Sequence, residues 1–452
     1  MFAAGQARRI RTVLSSQTSD IADTSAVMLR PGHIILLCAL ALLMLGVVMV
    51  NSALMSVAPV DGDGNQLPGV TAESILTSRS TVYMALALAA MTICTLLPLR
   101  RLSHWVTTLG RHEKGHAASD CAPPPTTTTP ASAPKAGLLV LVLGSVGMLA
   151  VLATVYLPVI GHSANASARW VRLGGLTFQP SEIVKWAMIA LIAWYGTVQA
   201  AQMPKFWRGL APALLAVGIV CAAIVKEDLG TGVLIAGACG FVLLAAGAKF
   251  WHLAVVAPVG IGLVAVAIFT SEYRTRRILA FLDPFADPQD TGYHIIQSMA
   301  AITGGGGSGR GLGHGFQKFG YLPEDHTDFL FAIVCEELGI AGAALVLGLY
   351  VLLIFAGFGV VRRETDRLLK LLGLGIIVTI SLQAVINLFV VTGMAPTKGI
   401  ALPLMSSGGT GWILIAACLG LIAAMDRTQP ILVARLSEPG SGGQRERDGS
   451  LS

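Results

Sequence analysis

The sequence predicts an all-α integral membrane protein of about ten transmembrane helices, with a large extracytoplasmic loop between helices 7 and 8. Three observations carry this. Hydrophobic residues make up 54% of the 452 and charged residues only 12%, with a mean hydropathy of +0.71; a soluble domain carries about 25% charged residues. The apolar residues form continuous runs of about 20, long enough to cross a bilayer as helices, rather than alternating as in strands. Lysine and arginine are spread unevenly over the connections between these runs, as the positive-inside rule requires.

Ten runs qualify: 34–53, 80–99, 137–160, 181–200, 208–225, 230–248, 251–270, 328–358, 370–392 and 409–426. Together they define a membrane domain over 34–430. Residues 1–33 precede it as a cytoplasmic tail, and 431–452 follow as a disordered one rich in Gly, Ser and Arg. The first run is long and lacks a small-residue cleavage site, so it reads as an uncleaved helix rather than a signal peptide. Residues 100–136 contain APPPTTTTPASAPK, which cannot bury enough apolar surface to fold and reads as a cytoplasmic linker. No repeat with a period of 20–50 residues is apparent.

With the N-terminus in the cytoplasm, twenty of the 31 basic residues fall on cytoplasmic segments and eleven on outer ones. Both termini are then cytoplasmic. The formal charge of +6 follows from this bias and does not point to nucleic acid. Six of the seven cysteines lie in apolar runs and Cys121 in the linker, with no CxxC or Cys/His metal spacing.

The polar residues that a membrane protein must account for cluster at the outer face. In ARWVRLGGLTFQPSEIVKW (168–186), Ser181 suits a helix N-cap, and Glu182 and Lys185 share a face three residues apart. They form either a local ion pair or, with Arg169 and Arg172, part of an anion site. Lys226-Glu227-Asp228 links two runs as a hairpin, again either a solvated turn or something more. The outer loop 271–327 carries Arg274, Arg276 and Arg277, whose guanidinium forks match phosphate oxygens. Its Asp-Pro pairs suggest turns, and Tyr293 to Ile302 a short amphipathic helix. GGGGSGRGLGHG (304–315) lacks the GK[ST] ending and βαβ context of a nucleotide loop; its glycines suit tight folding at the membrane surface. His314 and His326 are more ordinary as hydrogen-bonding residues than as metal ligands.

Asp328 is the last charged residue before a long span, with His326 and Thr327 beside it. A carboxylate there is costly unless solvated, paired or used. It suits a helix N-cap, since Asp is a preferred cap. Equally it suits a general base. Residue chemistry alone leaves both roles open. Glu336 and Glu337, further along the same span, need a polar interior or cations, for which Arg310 and Lys318 are available. In GMAPTKGIALPLMSSGGTGW (393–412) prolines and glycines break the helix, and Lys398 is placed to meet an anionic ligand or Asp328.

Three separated motifs, RWVRLGGLTFQPSE (169–182), GLGHGFQKFGYLPEDHTDFLFAIVCEELG (311–339) and PTKGIALPLMSSGG (396–409), resemble the SEDS family of bacterial membrane proteins, the FtsW/RodA/SpoVE group. The likeness runs from about residue 34 to 430, and the lysine of PTKG resembles the FtsW/SpoVE branch. It implies a ten-span peptidoglycan glycosyltransferase that polymerises lipid II at the outer face of the bacterial cytoplasmic membrane, closest to the division (septal) type. It also implies a divalent cation (Mg or Mn) and partnership with a class B penicillin-binding protein (a transpeptidase), alongside other divisome membrane proteins and membrane lipids. The family's essential aspartate falls on Asp328. The substrate-binding set it suggests is Lys398, Arg274, Arg277, Glu182, Lys185, Arg172, His326, Thr327 and Ser406. Two departures stand out. Lys226-Glu227 precede Asp228 where the family has a proline, which leaves the role of 226–231 open, and SYGG becomes Ser406-Ser407-Gly408-Gly409.

The competing readings are a lipid II flippase or other transporter, and a non-catalytic scaffold for the transpeptidase. Broken helices and intramembrane carboxylates suit a carrier. Clustering of the polar residues on one face argues against it.

Overall fold

The computed structural model describes residues 30–54, 78–109, 133–156, 161–164, 167–173, 176–324, 326–407 and 409–429. The N-terminal tail up to residue 29, the C-terminal tail, most of the Pro/Thr linker and Cys121 lie outside the described residues.

Each of the ten predicted runs coincides with a helix. The chain enters with α1 (Pro31–Leu54) and α2 (Arg79–Leu96), followed by a short α3 (Leu99–Leu109) and then α4 (Ala133–Ala153). Beyond α5 (Pro180–Val198), a single π turn at Phe206–Leu210 leads into α6 (Ala211–Glu227), α7 (Leu229–Ala245) and α8 (Phe250–Phe269). Two shorter helices follow, α9 (Glu272–Leu282) and α10 (Tyr293–Gly305), then the long α11 (Leu330–Arg363), α12 (Arg367–Val391) and α13 (Thr410–Thr428). Among the described residues, eight helices are long and apolar enough to cross a membrane. The other two of the ten are α5, interrupted by Glu182 and Lys185, and α7, which is 17 residues long.

Several expectations are corrected. Residues 100–109, read as linker, form most of α3, because LRRLSHWVTTL is amphipathic and the proline-rich stretch begins only later. This helix is tied to the bundle by Ser103 Oγ, which donates to Asp366 (2.5 Å), and by Trp194 Nε1, which donates to the Val106 carbonyl (3.2 Å). Ser181 is not the cap of α5: Gln179 holds that position without a side-chain bond, and Pro180 occupies the first turn, where its missing N–H costs nothing. The 271–327 stretch is largely folded, with α9, a 3₁₀ turn at Pro284–Ala286, and α10 extending to Gly305. A small antiparallel sheet, β1 (Gly161–Ala164), β2 (Ser167–Leu173) and β3 (Leu176–Phe178), precedes α5 and was not anticipated.

Two apolar clusters hold the bundle. One joins α1, α2, α11 and α13; the other joins α4, α5, α6 and α7. Helix α12 belongs to both, presenting Leu369, Ile376, Ile377 and Ile380 to the first and Leu368, Leu371 and Val378 to the second. Helix α8 buries no residue, and an apolar helix of this kind is solvated by lipid. Six cysteines are free and mostly buried, as small core residues.

The glycine-rich segment folds down onto α11 at a kink. Gly339 interrupts the helix with φ +63, and Gly309 sits against it with φ +77. A Cβ on Gly309 would lie 2.2 Å from the Glu337 carbonyl oxygen, so only glycine fits. Backbone bonds close the contact: Arg310 N donates to the Glu336 carbonyl (3.0 Å) and Gly311 N to the Glu337 carbonyl (2.9 Å).

Candidate active site

A cavity of about 800 Å³ opens among the start of α5, the α6–α7 junction, α9, α10, the turn before α11 and the broken segment 396–407. Eight predicted site residues line it: Asp328, Thr327, Lys398, Arg274, Arg277, Glu182, Lys185 and Ser406. Two carboxylates and four cations from distant parts of the chain thus face one volume.

The turn that presents Asp328 is built on Glu324, which adopts a left-handed conformation (φ 58). Its carbonyl accepts from the N–H groups of Thr327 and Phe329, both at 3.2 Å, and its Oε2 accepts from Thr327 Oγ1 (2.7 Å). Helix α11 starts at Leu330 with Phe329 in the cap position, so Asp328 stands one residue outside the cap. The residue lies on the cavity wall, just before the helix.

Two amides on α12 assemble the site. Asn387 Nδ2 donates to the carbonyls of Asp328 and Ile400, each at 2.8 Å. Because both partners are carbonyls, the NH₂ group must face them. One turn earlier, Gln383 donates to the Ala401 carbonyl (2.9 Å) and accepts from Lys185 Nζ (3.0 Å). One helix face therefore holds both the Asp328 turn and the loop carrying Lys398.

The cations divide by use. Lys185 is fully buried and spent on Glu182, at 2.8 and 2.7 Å, and on Gln383; it is an internal strut that fixes Glu182 at the wall. Arg274 donates to the carbonyls of Ala267 (3.0 Å), Val225 (2.6 Å) and Lys226 (3.1 Å), tying the ends of α8 and α6 together. Arg277 donates to the Thr397 carbonyl (3.2 Å) and stacks over Tyr273. Lys398 makes no ion pair or side-chain hydrogen bond among the described residues, with Asp328 or otherwise. Burial lowers its pKa below the usual lysine value, and the Asp228 carboxylate partly offsets this. Lys226, which packs over the Tyr156 ring, is a further cation on the cavity wall.

Other predicted residues fall elsewhere. His326 does not line the cavity; its carbonyl accepts from Ser407 N (3.0 Å). The backbone of Arg172 pairs with Thr177 between β2 and β3, and its side chain is outside the described residues. Ser406 lines the wall but is buried in loop bonding: its Oγ accepts from Leu402 N (3.0 Å) and its carbonyl from Trp412 Nε1 (2.6 Å). The 226–228 hairpin is a helix junction, where Asp228 caps α7 through Thr231 N (3.1 Å) and Thr231 Oγ1 (2.8 Å).

Sequence reasoning missed Gln383 and Asn387, although two amides four residues apart in an apolar helix were a readable signal. It also passed over Glu324 and His294, which line the cavity and gave no such signal. Glu336 and Glu337 are buried away from the cavity. Glu336 accepts from Phe316 N (2.7 Å) and Gln317 N (3.2 Å) and faces Arg310 at 3.7 Å. Glu337 accepts from Lys318 Nζ (2.9 Å), Gly313 N (3.0 Å) and Ser52 Oγ (2.8 Å). They organise the glycine-rich loop rather than complete the site.

Among the described residues no three His, Cys, Asp or Glu side chains gather into a metal cage. The cavity does suit the other mode of magnesium binding, in which one or two carboxylates act with substrate phosphates and water.

A family profile described as "Cell cycle protein", covering FtsW, RodA and SpoVE, matches residues 133–430. A probable peptidoglycan glycosyltransferase FtsW of Geobacter sp. (strain M18) is 38% identical over 282 residues, covering 61% of this chain and 76% of the relative. Another protein of that name, from Thioalkalivibrio sulfidiphilus, is 33% identical over 411 residues, covering 89% and 92%. A solved structure described as the structural coordination of polymerization and crosslinking by a peptidoglycan synthase complex superposes with a TM-score of 0.61 at 26% identity, over 87% of this chain and 96% of the other. The chain belongs to the FtsW/RodA/SpoVE family.

Proposed function

We propose that the chain is a peptidoglycan glycosyltransferase that polymerises lipid II at the outer face of the bacterial cytoplasmic membrane, in septal wall synthesis. The observation that carries this is the convergence of Asp328 and Lys398 on one cavity in a chain whose relatives are named for that activity. The reaction joins an acceptor sugar hydroxyl to the donor anomeric carbon and releases undecaprenyl pyrophosphate. Asp328 takes the hydroxyl proton. The pyrophosphate is already a good leaving group and calls for positive charge rather than a second acid. Lys398 supplies that charge directly. Arg274 and Arg277 add their charge while holding the wall. A divalent cation, when bound, would neutralise the pyrophosphate further, and Glu324 is a cavity carboxylate able to hold it.

The excess of basic residues on the opposite connections supports an outward-facing cavity with both termini in the cytoplasm. Likeness to a synthase complex that couples polymerization to crosslinking supports a class B penicillin-binding protein as partner, within a set of divisome membrane proteins. A carrier is disfavoured because carboxylates towards the other membrane face are used as structural ties. Asp366 caps α12, Glu364 accepts from Thr365 N and Asp366 N, and Asp426 accepts from Gly32 N. The test is glycan synthesis from lipid II by the purified protein, with and without the transpeptidase. Normal synthesis by Asp328→Asn would overturn the assignment of the base.

A further inference from the structure

A second cavity, of about 270 Å³, adjoins the first. Its walls are the ends of α4 and α6, with Leu149, Leu152, Val155, Ala223 and Ile224, and they are mostly apolar. Lys226, Glu227 and Asp228 line both cavities, so the α6–α7 junction stands between a polar chamber and an apolar one. Lys226 is exposed, and its Nζ lies 5.1 Å from the centre of the Tyr156 ring, which lines the second cavity. The ammonium is therefore beside the apolar cavity, on a residue shared with the polar one. The Tyr156 hydroxyl donates to Glu227 Oε1 (2.8 Å), and Thr231 Oγ1 donates to Asp228 (2.8 Å), so both neighbouring carboxylates have local donors. Lys226 itself makes no ion pair or side-chain hydrogen bond among the described residues. A ring face attracts a cation without neutralising it. An apolar slot that ends at a cation is complementary to an amphiphile with an anionic head.

We infer that Lys226 and the apolar cavity hold the pyrophosphate and the first isoprene units of the acceptor lipid II. This rests on the glycosyltransferase reading above and divides its substrates between two sites. When lipid II is polymerised, the acceptor is lipid-linked as well as the donor. Two pyrophosphates and two polyprenyl chains must then be held at once. The donor's pyrophosphate is the leaving group, which the mechanism gives to Lys398 on the 396–407 segment. The acceptor's needs another cation on another wall. Of the remaining cavity lysines, Lys185 is spent on Glu182 and Gln383, which leaves Lys226. A lysine suits the task, being a compact charge on a flexible stem that imposes no fixed fork geometry. The small cavity takes only the head of the chain, and the rest stays in the bilayer. Continuity with the catalytic cavity argues for a substrate chain over a structural phospholipid, whose head group has no reason to reach that cavity.

The test is binding of undecaprenyl pyrophosphate, counted by native mass spectrometry on the full-length protein in detergent. The wild type should bind two molecules, and Lys226→Met and Lys398→Met one each. Lys226→Arg keeps the charge and should bind two. Ala153→Phe, which fills the apolar cavity with Lys226 intact, should bind one. In glycan synthesis Lys226→Met should raise the KM for lipid II about tenfold, the range of one hydrogen bond to a charged group. Its thermal midpoint should not change, because the side chain is exposed. Two molecules on Lys226→Met, or one on an active wild type, overturn this site alone. So does displacement of the second molecule by equimolar phosphatidylglycerol, which marks a site for ordinary anionic lipid. A fall in thermal midpoint that accounts for the lost binding marks a structural lysine and also overturns it. A wild type that forms no glycan from lipid II, alone or with its transpeptidase, overturns the glycosyltransferase reading and the acceptor assignment with it.

Discussion

Asn387 Nδ2 lies 2.8 Å from the carbonyl oxygen of Asp328, and this bond joins the middle of the bundle to the residue proposed as the base. The same nitrogen holds the Ile400 carbonyl, two residues from Lys398. Base and cation, 70 residues apart in sequence, are thus set by one buried amide.

Replacing Asn387 by leucine should leave two carbonyls without that donor. Each unsatisfied buried group costs about 1–3 kcal/mol. Thermal unfolding in detergent should show the loss, and polymerisation should fall although Asp328 and Lys398 are intact. A stable, fully active Asn387→Leu protein would show that the site is positioned by something else.

Asp328→Asn should lower glycan synthesis by about 10²–10⁴-fold, the range of a general base. Membrane insertion and co-purification with the transpeptidase should persist. The asparagine is nearly isosteric, so a fall in rate without a fall in thermal stability isolates the chemistry.

The lowered pKa of Lys398 carries a sign for pH dependence. Lysine is cationic below its pKa, so a depressed value means the charge is lost earlier as pH rises than in an ordinary lysine. The rate should therefore decline on the alkaline side, below the usual lysine range. Lys398→Arg should move that decline upward, because the guanidinium does not titrate there. Lys398→Met should weaken activity at every pH. An alkaline limb identical in Lys398→Arg would assign it to another group.

The two ion pairs of the glycine-rich loop should differ in weight. Lys318 and Glu337 are both buried, and removing one partner of such a pair costs about 3–5 kcal/mol. Arg310 is about one third exposed and faces Glu336 at 3.7 Å, and Glu336 keeps the Phe316 and Gln317 N–H donors without it, so its loss leaves no unpaired buried charge. Lys318→Met should accordingly destabilise the protein far more than Arg310→Met in a thermal melt. Equal effects would mean that the loop is held by its backbone bonds to α11 instead.

The ten apolar helices were legible because continuous apolarity is a local property of the chain, and a bilayer leaves an apolar segment little alternative to helix. The Asp328 turn and the broken 396–407 segment also announced themselves, since charge and helix-breaking residues at membrane depth demand a reason. The α3 helix and the small sheet before α5 were missed for the opposite reason. Their sequences are mixed in polarity, and contacts such as Ser103 to Asp366 join residues far apart.

What the sequence determined by itself is therefore the apolar helices and the polar residue types that join or interrupt them, which follow from hydropathy and charge along the chain. Only the tertiary structure decided which of those residues face a common cavity. Lys185 was open between an ion pair with Glu182 and an anion site and is a buried strut; Glu336 and Glu337 do meet Arg310 and Lys318, and in doing so hold a loop. Gln383 and Asn387 became assembly points. Each outcome depends on which donor meets which acceptor when helices pack, and hydrogen bonds of about 3 Å between residues as distant as Ser52 and Glu337 leave no trace in a linear pattern.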